Sequence, residues 1–359
     1  MADAATLIAE ARIVLPDAAT LVDRLCAHFV EHATVTRDGA AGLIDSVYGR
    51  AVLTPADGLL HLRIECPGES AFFLVKTSLI EHVFEFAADP QITWTGHGTD
   101  TAAVPYFREM TVVAARSLTS RMRRVTLRGD VGQFARGGLH VRLLIPPMGR
   151  PPRWPVLSPQ GRLVWPKGDD ALAARVYTVR RLDADAGTLD LDVVVHQGHD
   201  TPGSTWALTV QPGAVVGLMG PGGGDLPPGR DFLLAGDETA LPAIARILES
   251  LGPDARATVL VEIADAAEEQ ALPSAATADV TWLHRNGREA GTTSLIEDAV
   301  RAHVLPQGAG GYVWIACEHG AARSLRNWLR REVKYDRDRQ LVAAYWRRGA
   351  AGDEVAEAD

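Results

Sequence analysis

The first hundred residues alternate between the two regular hydrophobic periods. LIAEARIVL changes face at every step and predicts a strand, which Pro16 and Asp17 end. In AATLVDRLCAHFVEH, Leu21, Leu25 and Phe29 recur one helical turn apart, predicting an amphipathic helix. LIDSVYGRAVLTPADGLLHLRIEC reads as a hairpin-rich sheet segment turning at Ala56-Asp57-Gly58. SAFFLVKTSLIEHVFEF returns to helix, and ITWTG closes the region as a strand. Together these predict an α+β module over residues 1–98, followed by a linker, GHGTDTAAVPY, from Gly96 to Tyr106.

The texture then changes to short strands separated by turn residues. TVVAARSLTSRMRRVTLRG, HVRLLIPP, RVYTVRRLD and TLDLDVVVHQG predict a small antiparallel barrel within residues 105–228. GRPPRWPVLSPQGRLVWPKGDD is proline-rich and predicts a loop wrapped over the barrel surface. From Phe232 onward strands and helices take turns: FLLAG before PAIARILESL, VTWLHR before SLIEDAVRAHV, YVWIACE before AARSLRNWLRREV. That rhythm predicts a parallel sheet with helices on its faces over residues 229–350, ahead of an acidic tail at 351–359. The fold class is therefore multidomain: α+β module, antiparallel β-barrel, α/β parallel sheet.

Composition narrows the function classes. At 47% hydrophobic and 23% charged over 359 residues, the chain has the make-up of a globular protein with room for several cores. A net charge of −9 argues against a nucleic-acid binder, which would lean on excess Lys and Arg. Cys26, Cys66 and Cys317 are widely spaced with no CxxC pair, which suggests a reducing compartment and no zinc site. The first residues lack a basic segment of the signal-peptide kind, and no apolar run reaches the length of a membrane span. The expected location is the cytoplasm. The oligomeric state is left open, a monomer among the options.

Three stretches carry candidate chemistry. In RVYTVR, Arg175 offers a cation, Tyr177 an aromatic face and Thr178 a hydroxyl, a set suited to a planar, phosphate-bearing ligand. Spacing alone favours the plainer reading, a strand with surface arginines. In VVVHQGHDTPGSTWA, Gly203, Ser204 and Thr205 open a short helix whose N–H groups and hydroxyls suit a phosphate. His196 and His199 are too few for a metal site, and no metal is expected. In FLLAGDETALPAI, Gly236 ends a strand where Asp237, Glu238 and Thr239 begin the next helix, with Pro242 in its first turn. The carboxylates there suit ribose or amide contacts rather than phosphate, or simply cap the helix. No GxGxxG occurs in that segment, and GPGGG at 220–224 lacks the Lys-Ser/Thr of a phosphate loop, so it reads as a hinge.

The order RVYTVR, DLDVVVHQG, PGSTWA, PGAVVGLMGPGG, LLAGDETALPAIARILE, YVWIACE and YWRRG closely resembles the siderophore-interacting protein family, over about residues 105–350. These are FAD-containing ferric-siderophore reductases of the ferredoxin-reductase-like superfamily. The resemblance implies FAD in the barrel, NADH or NADPH as electron donor at the α/β domain, and a ferric siderophore or other Fe(III) chelate as partner. It implies that Arg175 binds the pyrophosphate, Tyr177 lies along the isoalloxazine and ribityl chain, and Thr178 stands near flavin N5, with Val179 continuing the flavin strand. Thr178 and Tyr177 are the implied catalytic pair. His196 matches a strand-end histidine beside the flavin, Gly203, Ser204 and Thr205 a second phosphate turn, and Gly236, Asp237, Glu238 and Thr239 the nicotinamide-side turn. Cys317 stands where the family has glycine and is expected to narrow the nicotinamide approach. Residues 1–98 resemble a separate small domain family, DUF2218, which implies no chemistry.

The implied reaction passes hydride from the nicotinamide to the flavin and single electrons onward to iron. Anionic substrates would call for a local basic patch, with Arg142, Lys167, Arg347 and Arg348 as its candidates. Tyr345 and Trp346 either cover a flavin face or close the sheet. Two other readings fit the same residues: a general NAD(P)H:acceptor oxidoreductase, and a non-catalytic binder of iron chelates.

Overall fold

The computed structural model describes residues 6–30, 33–99, 102–195 and 201–350. The chain divides into two compact units: Met1–Phe107 with Pro147–Leu172, and Arg108–Pro146 with Ala173–Asp359.

Unit 1 is a twisted antiparallel sheet with two helices. Strand β1 (Leu7–Val14) leads to α1 (Ala18–Phe29), whose first turn is capped by Asp17 accepting from the Thr20 N–H at 3.0 Å. Then come β2 (Thr34–Asp38), β3 (Ala41–Ser46), β4 (Gly49–Ala56), β5 (Leu59–Cys66), α2 (Glu69–Phe86) and β6 (Gln91–Gly96). The sheet order is β2-β3-β4-β5-β1-β6. The alternation read in LIAEARIVL is a burial alternation: Ala9, Ala11 and Ile13 are fully buried while their neighbours are exposed or half-buried. β2 carries no clear apolar period, and the hydrophobic pattern did not predict it.

Unit 2 begins with β7 (Phe107–Ser117), apart from its first residue, followed by β8 (Met122–Arg128) and β9 (His140–Ile145). The chain then leaves for the proline-rich segment, which holds the short pair β10 (Val156–Leu157) and β11 (Leu163–Val164). It returns as β12 (Ala173–Asp183), β13 (Thr188–Val194), α3 (Pro202–Thr209) and β14 (Val215–Gly222). Six of these strands close into a barrel in the order β12-β13-β8-β7-β14-β9. Its inside is filled by Val112, Leu127, Phe134, Leu143, Val179, Leu191 and Leu218, all fully buried. The proline-rich segment differs from expectation, because residues 147–172 cluster with unit 1.

The α/β part runs β15 (Asp231–Asp237), α4 (Leu241–Ser250), β16 (Arg256–Ile263), β17 (Thr277–His284), α5 (Leu295–Ala302), β18 (Gly311–Glu318), α6 (His319–Asn327) and β19 (Gln340–Trp346). All neighbours are parallel in the order β17-β16-β15-β18-β19, so the winding reverses between β15 and β18. In open parallel sheets, ligands collect beyond the strand carboxyl ends at such a switch point. One face buries Leu234, Val259, Val261 and Trp314 under α4, and the other buries Leu233, Ile315 and Cys317 under α5 and α6. Met122 and Leu139 of the barrel belong to the α4-side cluster, so barrel and sheet share one core. Among the described residues no helix is long and apolar enough to cross a membrane.

Candidate functional site

β12 is the strand that carries most of the site. Arg175 pairs with Leu143, Tyr177 with Val141 and Thr178 with His140 along β9. Strand alternation puts Arg175 and Tyr177 on one side, where they meet α3. A Cβ built on Gly203 would lie 2.0 Å from the Tyr177 hydroxyl and 3.5 Å from Arg175 Cγ. Only the absence of a side chain at 203 lets the first turn of α3 approach this face so closely. Burial pushes the Tyr177 phenol up to about 12, with Arg175 partly opposing, so it stays a neutral hydroxyl. Ser204 is buried in the same turn and Thr205 is exposed.

Arg175 is half-buried, and its guanidinium donates to the neighbouring Ala174 carbonyl at 2.5 Å. No carboxylate pairs with it among the described residues. An arginine with no carboxylate partner among the described residues, beside a helix N-terminus with a glycine gap, is a donor set that suits an anionic pyrophosphate. The residues present therefore fit the phosphate end of FAD. His196 lies outside the described residues.

Beyond Thr178 the strand alternation breaks. Thr178 and Val179 are both buried, because the ladder to β13 shifts register between Val179 and Arg181. Arg180, unassigned by sequence, makes a two-pronged pair with Glu249 of α4 at 2.7 and 2.8 Å. Arg246, one turn earlier on α4, donates to the backbone carbonyls of Val179 at 2.9 Å and Leu139 at 3.3 Å. The second arginine of RVYTVR thus ties the barrel strand to the sheet domain.

His140, opposite Thr178, carries no signal in the sequence that marks it as functional. Its Nε2 and the Tyr345 hydroxyl share a 2.7 Å hydrogen bond, with the rings edge to face. Burial, helped by the charge of Arg246, pulls the imidazole down to about 4, so it is neutral at pH 7. Burial also raises the Tyr345 phenol, with Asp237 adding to the effect. The next aromatic, Trp346, donates its indole N–H to Asp237 at 2.7 Å. Both aromatics of YWRRG close the junction at the end of β19. The pair of hydrogen-bonding aromatics in sequence was the available signal; their partners were not.

The turn at the end of β15, Gly236 to Thr239, lies at the switch point. Gly236 packs against Ala240 and the Ala316 carbonyl. Asp237 accepts from the Thr239 N–H at 2.9 Å, the Thr239 hydroxyl at 2.5 Å, the Glu318 N–H at 3.1 Å and Trp346. A carboxylate has about four acceptor positions, so this one is saturated. Burial, with Glu238 nearby, still lifts its pKa to about 6. Glu238 is buried and grips Arg285 with both oxygens, and Arg285 also reaches Glu262 at 3.4 Å. Thr293 completes the group by donating to Glu262 at 2.8 Å. The two carboxylates expected to meet ribose or amide groups are thus held by internal donors.

Cys317 lies near the end of β18. It is fully buried on the α5–α6 face with Leu325 and Ala322, away from the opposite cluster that holds Ala316. Strand alternation sends its side chain to the opposite face of β18 from Ala316. Of the cationic candidates, Arg142 is half-buried on β9, two residues from His140 on the same face, with no ion pair among the described residues. Arg347 and Arg348 are exposed directly after β19, and the Arg348 N–H donates to Glu318 at 3.2 Å. Lys167 belongs to unit 1.

Comparison with known proteins agrees with this geometry. Residues 111–225 match the family described as the siderophore-interacting FAD-binding domain, and residues 229–349 match the siderophore-interacting protein family. Residues 10–95 match a family described as an uncharacterized protein conserved in bacteria (DUF2218). The ferric vibriobactin reductase ViuB of Vibrio cholerae is 32% identical over 250 residues, covering 68% of this chain and 90% of its own. A crystal structure of a siderophore utilization protein from T. fusca is 37% identical, with a TM-score of 0.60 over 70% of this chain and 96% of its own. SipS from Aeromonas hydrophila, 24% identical with a TM-score of 0.59 over 70% of this chain and 96% of its own, shares the fold. The barrel, the parallel sheet and the order of their motifs place this chain in the siderophore-interacting protein family.

Proposed function

We propose that this chain is an FAD-containing, NAD(P)H-dependent reductase of ferric siderophores, acting in the cytoplasm and freeing iron as Fe(II). One observation carries the reading: Arg175, without a carboxylate partner among the described residues, lies with Tyr177 against the glycine gap at the head of α3. The relatives named as ferric-siderophore reductases support the substrate class.

In this reading Arg175 and the α3 N–H groups would hold the pyrophosphate, and Tyr177 and Thr178 would bind the rest of the cofactor. FAD, when bound, supplies the exchange between a two-electron donor and one-electron acceptors. The chain's own work is to hold, orient and neutralise. The saturated Asp237 and the Glu238–Arg285 pair would stiffen the turn at the end of β15, where the nicotinamide donor would bind. Arg142, Arg347 and Arg348 attract an anionic chelate to a chain that is acidic overall. Release follows because hard, anionic oxygen ligands hold Fe(II) less tightly than Fe(III).

The test is an absorbance spectrum of purified protein during anaerobic titration with NADH and NADPH in turn. A flavin spectrum that bleaches with nicotinamide and returns with a ferric chelate is expected. Colourless protein that cannot be reconstituted with FAD would overturn the reading.

A further inference from the structure

β9 and β12 are antiparallel neighbours, paired from Ile145 opposite Ala173 onward. Such neighbours need only a two-residue turn to join them. This chain instead inserts residues 146–172, well beyond the roughly 12–15 residues at which unstructured loops become uncommon. Nearly all of that insertion clusters with unit 1, and its hydrogen bonds there are specific.

The Leu157 N–H donates to the Ala102 carbonyl at 2.9 Å, and the Leu157 side chain is buried. Ser158 to Arg162 form a tight turn between β10 and β11, closed by the Ser158 N–H to Arg162 carbonyl bond at 2.8 Å. At its tip the Gln160 carbonyl accepts the buried Trp94 indole N–H at 2.7 Å. Gly161, at φ +89°, lies so close to α2 and β6 that a Cβ would be 3.0 Å from Lys76 Cε and 3.3 Å from Trp94 Nε1. Beneath that tip the buried Lys76 ammonium is held by the Gly98 carbonyl at 2.9 Å and the Trp94 ring at 4.3 Å. On the flank, Glu81 takes the Arg162 guanidinium at 3.1 and 3.2 Å and the Leu163 N–H at 3.2 Å, while Arg162 covers the Phe84 ring. The α2–β6 face is therefore shaped around a hairpin of this same chain.

We propose that unit 1 is a docking platform for residues 147–172, and that by holding them it fixes the start of β12 and so the grip of Arg175 on the flavin. The segment ends at Leu172, three residues before Arg175. Undocked, so long a connection would pull entropically on the first β9–β12 pairs, those that set Arg175. Unit 1 thereby serves as a positioning module rather than a second site. The second half of the proposal rests on the FAD reading above.

The test uses the full chain with Gly161→Val and, as a milder change, Trp94→Phe. Trypsin has Arg153, Arg162 and Lys167 as sites within the segment, and FAD affinity is read by flavin fluorescence titration. Both variants should be cut faster within 147–172 and should bind FAD about fivefold more weakly. Unchanged cleavage in both variants would overturn the docking. Faster cleavage with unchanged FAD affinity would overturn the positioning role while leaving the FAD reading intact. Wild-type protein that takes up no FAD would instead sink the FAD reading and the positioning role with it, and its cleavage pattern would still judge the docking.

Discussion

The two ends of the crevice in unit 2 use charge in opposite ways. At β12 and α3, Arg175 has no carboxylate partner among the described residues, and a glycine leaves space beside it. At the end of β15, Asp237 has four donors and Glu238 has both prongs of Arg285. Both ends carry motif residues, but among the described residues only the first has charge to offer a ligand. A polar side chain in a motif is available for binding only if the fold has not already satisfied it.

This contrast can be broken most forcefully at Glu238. Glu238→Ala leaves the buried Arg285 with only its 3.4 Å contact to Glu262, so unfolding free energy should fall by about 3 kcal/mol, read by urea denaturation, while FAD affinity stays near wild type. A large loss of FAD affinity with unchanged stability would reverse the assignment of roles. Asp237 gives the next effect. Its folded pKa, about 6, exceeds the ordinary aspartate value, so its stabilising contribution is present below about pH 4 and is lost as pH rises through 6. The stability difference between wild type and Asp237→Asn should therefore shrink by on the order of 3 kcal/mol from pH 4 to pH 7. Denaturation midpoints at both pH values check the sign.

At the other end the effects move to the ligand. Arg175→Ala should weaken FAD by about 1.5–3 kcal/mol, the range of a hydrogen bond to a charged group, with the melting temperature of the FAD-free chain unchanged. Gly203→Ala crowds the Tyr177 hydroxyl and should cost about 1–3 kcal/mol, as overpacking does, seen as a lower flavin-to-protein absorbance ratio. The smallest change is expected from Arg347→Ser with Arg348→Ser. Exposed charges of this kind are worth about 1 kcal/mol or less, so KM for an anionic chelate should rise a few-fold at low salt and converge with wild type at high salt.

Much of this was legible along the chain. The alternation in RVYTVR placed Arg175 and Tyr177 on one face, and the βαβ rhythm predicted the parallel sheet, because both depend on local period. The cluster that buries Cys317 was not legible, since it depends on which helices cover each face of the sheet. Nor were His140, Arg246 and Glu249, whose partners lie between 67 and 205 residues away in sequence. The proline-rich segment was legible as irregular, but proline content says nothing about which surface receives it.

The sequence by itself determined the module order, the periodicity of each element and the residue types able to meet a phosphate-bearing, planar cofactor. These follow from backbone sterics and side-chain chemistry, which act within a few residues. Only the tertiary structure decided which charges are free. It left Arg175 without a carboxylate among the described residues, bound Arg180 to Glu249, saturated Asp237, and seated residues 147–172 on unit 1. Whether a buried or half-buried group is satisfied depends on partners that only long-range packing brings within hydrogen-bonding distance.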